Sequence, residues 1–173
     1  MPSSRPELAE VHVPGDPAAW QRLGFTLRDG AVHLDGVRIV IGRDPAWLLG
    51  EPRAERVEHP NGATGIDHVV VVTPDFDATV ERLRAEGLDY RRTRDAGPAD
   101  PTHPPRRQAF FVLGPCLLEL AGPADGPERL WGVTLVAPDL EPFGGNVKDA
   151  VQPGRRITTV KGLDFPIAVM TPR

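Results

Sequence analysis

The fold of this chain is decided by one stretch of its sequence, Gly65-Ile66-Asp67-His68-Val69-Val70-Val71-Val72-Thr73-Pro74-Asp75. The consecutive valines predict a β-strand, because β-branched side chains pack well on a pleated surface. The unbroken apolar run further predicts that both faces of this strand are buried. The strand opens on Asp-His, which can offer a metal ligand or a base. It closes on Pro-Asp, which ends the strand and caps a helix.

The composition is that of a folded chain of 173 residues, with 40% hydrophobic and 25% charged residues. This length suits one domain, or a few small repeated units that share a core. The net charge of -4 argues against a nucleic-acid partner. No apolar stretch approaches the ~20 residues of a membrane span, and no signal peptide is predicted. The single cysteine, Cys116, follows apolar neighbours, so we expect an unreactive buried thiol in a cytoplasmic protein.

One pattern of elements begins near the start of the chain. Leu8 to Val13 alternate as in a strand, and Asp16 is placed to cap a short helix. Asp35-Gly36 between two apolar runs predicts a hairpin. Residues 8–42 therefore read as strand, helix and three strands. Residues 43–64 are predicted to be a linker in which Trp47-Leu48-Leu49 forms a helical turn.

Residues 65–123 and 130–172 repeat this order. In the second unit the opening strand is followed by a helix, a strand, a Pro-rich loop and a hairpin. The third unit repeats the Pro-Asp ending at Pro138-Asp139. Its helix is reduced to a turn or two, because Pro142 and the glycines that follow break it.

The tandem βαβββ pattern, with its His-Val-Val-Val-Val-Thr-Pro-Asp run and a later Leu-Leu-Glu-Leu, resembles the vicinal oxygen chelate superfamily. That superfamily includes glyoxalase I, extradiol dioxygenases, methylmalonyl-CoA epimerase and the bleomycin and fosfomycin resistance proteins. The resemblance implies an α+β fold in which two βαβββ units curl into a half-open barrel around a small-molecule ligand. An additional short N-terminal βαβββ-like unit would then have a sheet edge to cover, which predicts a homodimer.

The resemblance also implies a glyoxalase-like function. One alternative is an enzyme, with lyase, isomerase or dioxygenase chemistry that either depends on a metal or proceeds without one. The other is a small-molecule or drug-binding protein of the bleomycin-resistance kind, which has no turnover. One fold hosts many functions, so both alternatives stay open at this point.

The same resemblance implies that each unit offers one metal ligand from its first strand and one from its last. In the second unit His68 and Glu119 match these positions, whereas Gly132 and Ala168 stand there in the third unit. Two ligands remain where catalytic zinc uses three protein ligands.

A divalent metal (zinc, iron, manganese or nickel) therefore needs a third ligand from His12, His33 or Gln108. The favoured expectation is that no metal is bound. His68 and Glu119 then act as base and acid, or they line a polar pocket.

Four more side chains are candidates for contact with substrate: Gln108, Trp131, Arg155 and Arg156. Gln108 either faces the cup or bonds to the backbone at its strand end. Trp131 forms an aromatic wall or, as we prefer, part of the core. Arg155 and Arg156 are adjacent on a strand, so at most one can face a carboxylate or phosphate in the cup. The alternative for this pair is a solvated edge.

Several arginines flank the Pro-rich loop, and they form either a basic rim for an anionic molecule or, preferably, a solvated loop: Arg91, Arg92, Arg94, Arg106 and Arg107. His103, within that loop, is expected to be exposed.

Overall fold

The computed structural model describes residues 5–51, 55–96 and 106–173. Across these ranges the chain forms two β-sheets, two α-helices and a short 3-10 turn. The bounds are β1 Glu7–Val13, α1 Pro17–Arg22, β2 Leu27–Arg28, β3 Ala31–His33, β4 Arg38–Ile41, β5 Ala46–Gly50, β6 Gly65–Val72, α2 Phe76–Ala85, β7 Asp89–Asp95, β8 Arg107–Leu113, β9 Cys116–Gly122, β10 Arg129–Val136, the 3-10 turn Glu141–Phe143, β11 Lys148–Asp149, β12 Arg156–Thr159 and β13 Ile167–Met170. None of the helices in these ranges is long and apolar enough to cross a membrane.

The larger sheet has the strand order β11-β12-β13-β10-β6-β9-β8-β7. In it β6 runs parallel to β9 and β10 runs parallel to β13, while β6 and β10 are antiparallel. Arg94 on β7 and Lys148 on β11 come from opposite ends of this sheet, yet both line one cleft. The sheet therefore curls on itself, which confirms an α+β fold whose βαβββ units form a cup.

The strand β6 is buried on one face only. Val69 and Val71 are fully buried, whereas Val70 and Val72 are partly exposed on the concave face of the sheet. The prediction that both faces are buried is wrong, because side chains alternate along a strand and the concave side of the cup is open.

The smaller sheet has the strand order β2-β3-β4-β1-β5, with β1 parallel to β4. Its strand β5 comes from the predicted linker and pairs antiparallel with β1, where Trp47 lies opposite Val11. The prediction of a helical turn at Trp47-Leu48-Leu49 is wrong, because these residues complete a sheet. They cover the edge of β1 that we expected the first unit to leave open.

One hydrophobic core joins the two sheets. Val11 and Trp20 of the first unit belong to the same buried cluster as Val71 of the larger sheet. The ring centroids of Phe25 and Phe143 lie 6.0 Å apart, which ties the end of α1 to the 3-10 turn of the third unit. The first unit thus packs on the convex side and leaves the concave side free. The unit boundaries 8–42, 65–123 and 130–172 stay proposals.

The predicted helix caps are present. The Asp16 side chain accepts a hydrogen bond from the Ala18 N–H at 2.9 Å, and Asp75 accepts one from Ala78 N–H at 3.2 Å. The third unit keeps only its 3-10 turn, as the breaker at Pro142 predicts. The sequence did not predict the short strand β11.

Candidate functional site

A cleft of about 620 Å³ lies on the concave face of the larger sheet. The strands β6 to β9 form its floor, and the segment 148–153 forms the facing wall. Part of the lining is apolar, from Phe110, Leu117, Ile157 and Met170. A row of polar side chains crosses the floor and includes His68, Gln108 and Glu119.

His68 contacts a carboxylate on each side of its ring. Its Nδ1 lies 2.8 Å from Asp67 Oδ2, and its Nε2 lies 3.7 Å from Glu119 Oε2. An ionised carboxylate only accepts hydrogen bonds, so Asp67 favours the neutral tautomer with the proton on Nδ1. Asp67 sets the tautomer because Glu119, at 3.7 Å, is beyond hydrogen-bond distance, and Nε2 is then free to accept a proton at the cleft.

A β-bulge places Asp67 beside His68. On a regular strand these neighbours would point to opposite faces. In the pairing of β6 with β10, His68 lies opposite Thr134 and Ile66 lies opposite Leu135, so Asp67 is an extra residue. The Asp-His dipeptide was visible in the sequence, but only the bulge makes Asp67 an orienting partner.

Asp67 is held ionised by a buried ion pair with Arg155. Arg155 Nη2 donates to Asp67 Oδ1 at 2.8 Å, and the two side chains are only 5% and 7% exposed. Burial opposes ionisation of Asp67. The hydrogen bonds from His68 and Arg155 outweigh it and lower the pKa of Asp67 from 3.8 to about 2.

Arg155 also connects the site to the wall of the cleft. It donates to the side chain of Gln152 at 2.5 Å and to the carbonyl of Thr171 at 2.9 Å. Every nitrogen of its guanidinium therefore contacts a protein acceptor. Its place is behind Asp67, not on the cleft lining.

Glu119 is held from its other side by Gln108. The Gln108 amide donates to Glu119 Oε1, and Arg94 Nε donates to Gln108 Oε1 at 2.8 Å. Gln108 therefore faces the cup and bonds to side chains. A polar chain runs across the floor from Arg94 through Gln108 and Glu119 to His68.

Of the arginines near the Pro-rich loop, Arg92 and Arg94 line the cleft. Their guanidinium carbons lie 5.2 and 5.1 Å from the ring centroid of Phe110. Arg107 instead lies over the Phe76 ring, outside the cleft. His103 falls outside the described residues.

The remaining predicted contacts lie outside the main cleft. Trp131 is 51% exposed rather than in the core, and it lines a separate small cavity. Arg156 lines another surface hollow, as does Asp139. Burial raises the pKa of the Cys116 thiol to about 12, so it offers no thiolate at neutral pH.

The residues in the cup do not fit a catalytic metal. Among the described residues, no three His, Cys, Asp or Glu side chains are grouped to hold an ion. His12 belongs to the smaller sheet and contacts Glu10, and His33 is also in that sheet. Gln108 turns its amide N–H, not its oxygen, toward Glu119. His68 and Glu119 thus have no third ligand from the predicted set.

No protein-family model matches this chain, and no curated protein matches it. Solved structures do resemble it. Methylmalonyl-CoA epimerase from Mycobacterium tuberculosis is 14% identical with a TM-score of 0.49, over 68% of this chain and 93% of that chain.

A variant of methylmalonyl-CoA epimerase from Streptomyces coelicolor, in complex with 2-nitronate-propionyl-CoA, is 22% identical with a TM-score of 0.44, over 63% of this chain and 97% of that one. A glyoxalase I variant from Zea mays is 16% identical with a TM-score of 0.45, over 96% of this chain and 67% of that one. At such values the similarity says nothing of ligand or reaction. Both named enzymes belong to the vicinal oxygen chelate superfamily, which the sequence of this chain resembles.

Proposed function

We propose that the cleft binds a small organic molecule and that His68 moves a proton to or from it. The observation that carries this proposal is the Asp67–His68 pair directed at Glu119 on the cleft floor. The volume of about 620 Å³ lies within the range of small-molecule pockets. The chemistry would be of lyase or isomerase type and would use side chains alone.

Asp67 and His68 divide the work as an orienting residue and a general base. The carboxylate of Asp67 keeps the proton on Nδ1, so Nε2 accepts a proton from the bound molecule. The imidazolium that forms lies between the carboxylates of Asp67 and Glu119, which stabilise its charge. Gln108 supports the step by holding Glu119 in place.

The apolar part of the lining indicates where the carbon skeleton of the molecule lies. Phe110 and Leu117 contribute from the floor, and Ile157 and Met170 from the opposite strands. The reacting carbon or oxygen would lie within about 3 Å of His68 Nε2, as proton transfer requires.

The test is exchange of carbon-bound protons with solvent. Protein in D2O is mixed with 2-oxo acids, α-hydroxyketones and 1,3-dicarbonyl compounds, and loss of the α-proton signal is followed by NMR. We expect catalysed exchange for at least one compound, and we expect His68→Gln to lose it by a factor of 10² or more.

His12→Gln is the matched control, because His12 also contacts a carboxylate but lies in the other sheet. It should keep full exchange activity. Exchange that survives His68→Gln would refute the assignment of the base. Binding in the cleft without exchange of any compound would favour a binding protein without turnover.

We further propose that the protein is a cytoplasmic homodimer. Since β5 covers the edge of β1, support for a dimer now rests on the exposed face of β5, where Leu48 is 44% exposed. Light scattering that gives a monomer mass at micromolar concentration would contradict it.

A further inference from the structure

A second hollow lies on the concave face of the larger sheet. Its volume is about 110 Å³, and its lining includes the small residues Gly132, Thr134 and Ala168. Trp131 and Pro166 also line it. This hollow plays no part in the proton transfer proposed for the cleft.

The strand register places this hollow directly beside the proton-transfer site. Thr134 lies opposite His68 across the β6–β10 pair. Val70 has Gly132 as its neighbour on β10 and Glu119 as its neighbour on β9. Because adjacent strands lie about 4.8 Å apart, Gly132 is about 10 Å from Glu119 across the sheet.

The strands β12 and β13 each contribute one residue to the cleft and another to the hollow. On β12, Ile157 lines the cleft and Thr159 lines the hollow. On β13, Met170 lines the cleft and Ala168 lines the hollow. Residues two apart on a strand share one face, so cleft and hollow are neighbouring parts of one concave surface.

Trp131 is exposed because of a second β-bulge. Leu130 lies opposite Val71 and Gly132 lies opposite Val70, which leaves Trp131 as an extra residue on β10. The bulge carries a large apolar side chain out of the core, to 51% exposure. An exposed indole beside these small residues can form a slot for a flat apolar group.

We propose that this slot, lined by Trp131, Gly132, Thr134 and Ala168, binds the planar aromatic ring of a ligand whose polar part extends into the cleft. The position of the polar part rests on the proposed function. Size limits the group to a single ring at most, because the hollow, at about 110 Å³, is smaller than an engineered apolar cavity of about 150 Å³ that binds benzene. Aromatic rings also gain from packing against an indole at centroid distances of about 4.5–7 Å.

The experiment uses full-length protein labelled with 5-fluorotryptophan, whose three 19F signals come from Trp20, Trp47 and Trp131. Trp131→Phe identifies the Trp131 signal. Phenylacetate is the probe, and cyclohexylacetate, with the same carboxylate and a puckered ring, is its comparator. We expect phenylacetate to shift the Trp131 signal saturably and to bind at least about 5-fold more tightly than cyclohexylacetate.

Ala168→Leu fills part of the slot while keeping Trp131 as a reporter. It should weaken phenylacetate binding about 10-fold or more and leave the signal of the buried Trp20 unchanged, which shows that the fold is intact. Ala85→Leu makes the same change on the exposed end of α2, and it should bind phenylacetate normally.

Three results would overturn the proposal: unchanged binding in Ala168→Leu, equal binding of the two probes, or a Trp131 signal that moves with protein concentration alone as a dimer forms. His68→Gln separates this proposal from the proposed function. That variant should lose proton exchange and still show the phenylacetate shift at Trp131.

Discussion

Asp67 and Arg155 form an ion pair almost closed to solvent, and this pair determines how His68 is held. Removing one partner of a buried pair leaves the other charge without compensation, which costs about 3–5 kcal/mol. The side chain of Arg156, one residue away, is exposed. The two neighbouring arginines therefore allow a direct comparison.

We expect Arg155→Met to lower the free energy of unfolding by about 3–5 kcal/mol, because Asp67 is left buried and unpaired. Arg156→Met should change it by less than about 0.5 kcal/mol. Urea denaturation at pH 7 measures both. Equal losses in the two variants would show that the pair with Asp67 is not the cause.

The low pKa of Asp67 predicts how stability depends on pH. Its pKa is lowered from 3.8 to about 2 in the folded protein, which corresponds to about 2 kcal/mol of stability. Because the folded pKa is the lower one, this contribution is fully present above pH 4 and is lost as the pH falls through 2. Asp67→Asn should lack it.

Urea denaturation of wild type and Asp67→Asn from pH 7 down to pH 2.5 tests this dependence. The difference in free energy of unfolding between wild type and Asp67→Asn should be constant down to about pH 4 and then decrease. An advantage that does not change across this range would mean that Asp67 titrates normally in the folded state.

At the scale of the element, two bulges on the β6–β10 pair set the directions of the Asp67 and Trp131 side chains. One turns Asp67 toward His68, and the other turns Trp131 out of the core. The end of β9 has no room for a side chain at Gly122, since a Cβ there would lie 2.6 Å from the carbonyl oxygen of Thr73. That carbonyl lies in the turn between β6 and α2.

Gly122→Ala should therefore destabilise the protein by about 1–3 kcal/mol, because the turn after β6 must move to admit the methyl group. Gly65→Ala, at the start of β6, is the control, since a Cβ there meets nothing within 4 Å. Thermal unfolding compares the two. An unchanged melting temperature in Gly122→Ala would contradict this prediction and show that the turn after β6 can move at little cost.

At the scale of the whole molecule, the cup contains His68 and Glu119 at the ligand positions of the second unit, whereas Gly132 and Ala168 stand at those positions in the third. We expect protein purified without an affinity tag to contain substoichiometric zinc, iron, manganese and nickel. A metal raises the melting temperature only if it binds the folded protein. Since we expect none to bind at His68, added metal should raise the melting temperature of wild type no more than that of His68→Ala. Elemental analysis that finds one metal per chain, lost in His68→Ala, would contradict this.

The sequence alone was enough to predict the βαβββ order and the helix caps at Asp16 and Asp75. These features depend on local signals, namely apolar alternation, capping side chains and turn residues. Through the resemblance to a known family, it also predicted His68 and Glu119 as candidate site residues. The structure brings the two within 3.7 Å of each other.

Only the tertiary structure decided the partners of these residues. Arg155 is 88 residues from Asp67 in sequence, and the two meet because the second and third units share one curled sheet. A bulge depends on the register between two strands, so the exposure of Trp131 and the direction of Asp67 were not visible in either strand alone. The pairing of β5 with β1 also depends on contacts between distant segments, because the sequence does not show which segment will cover the edge of a strand.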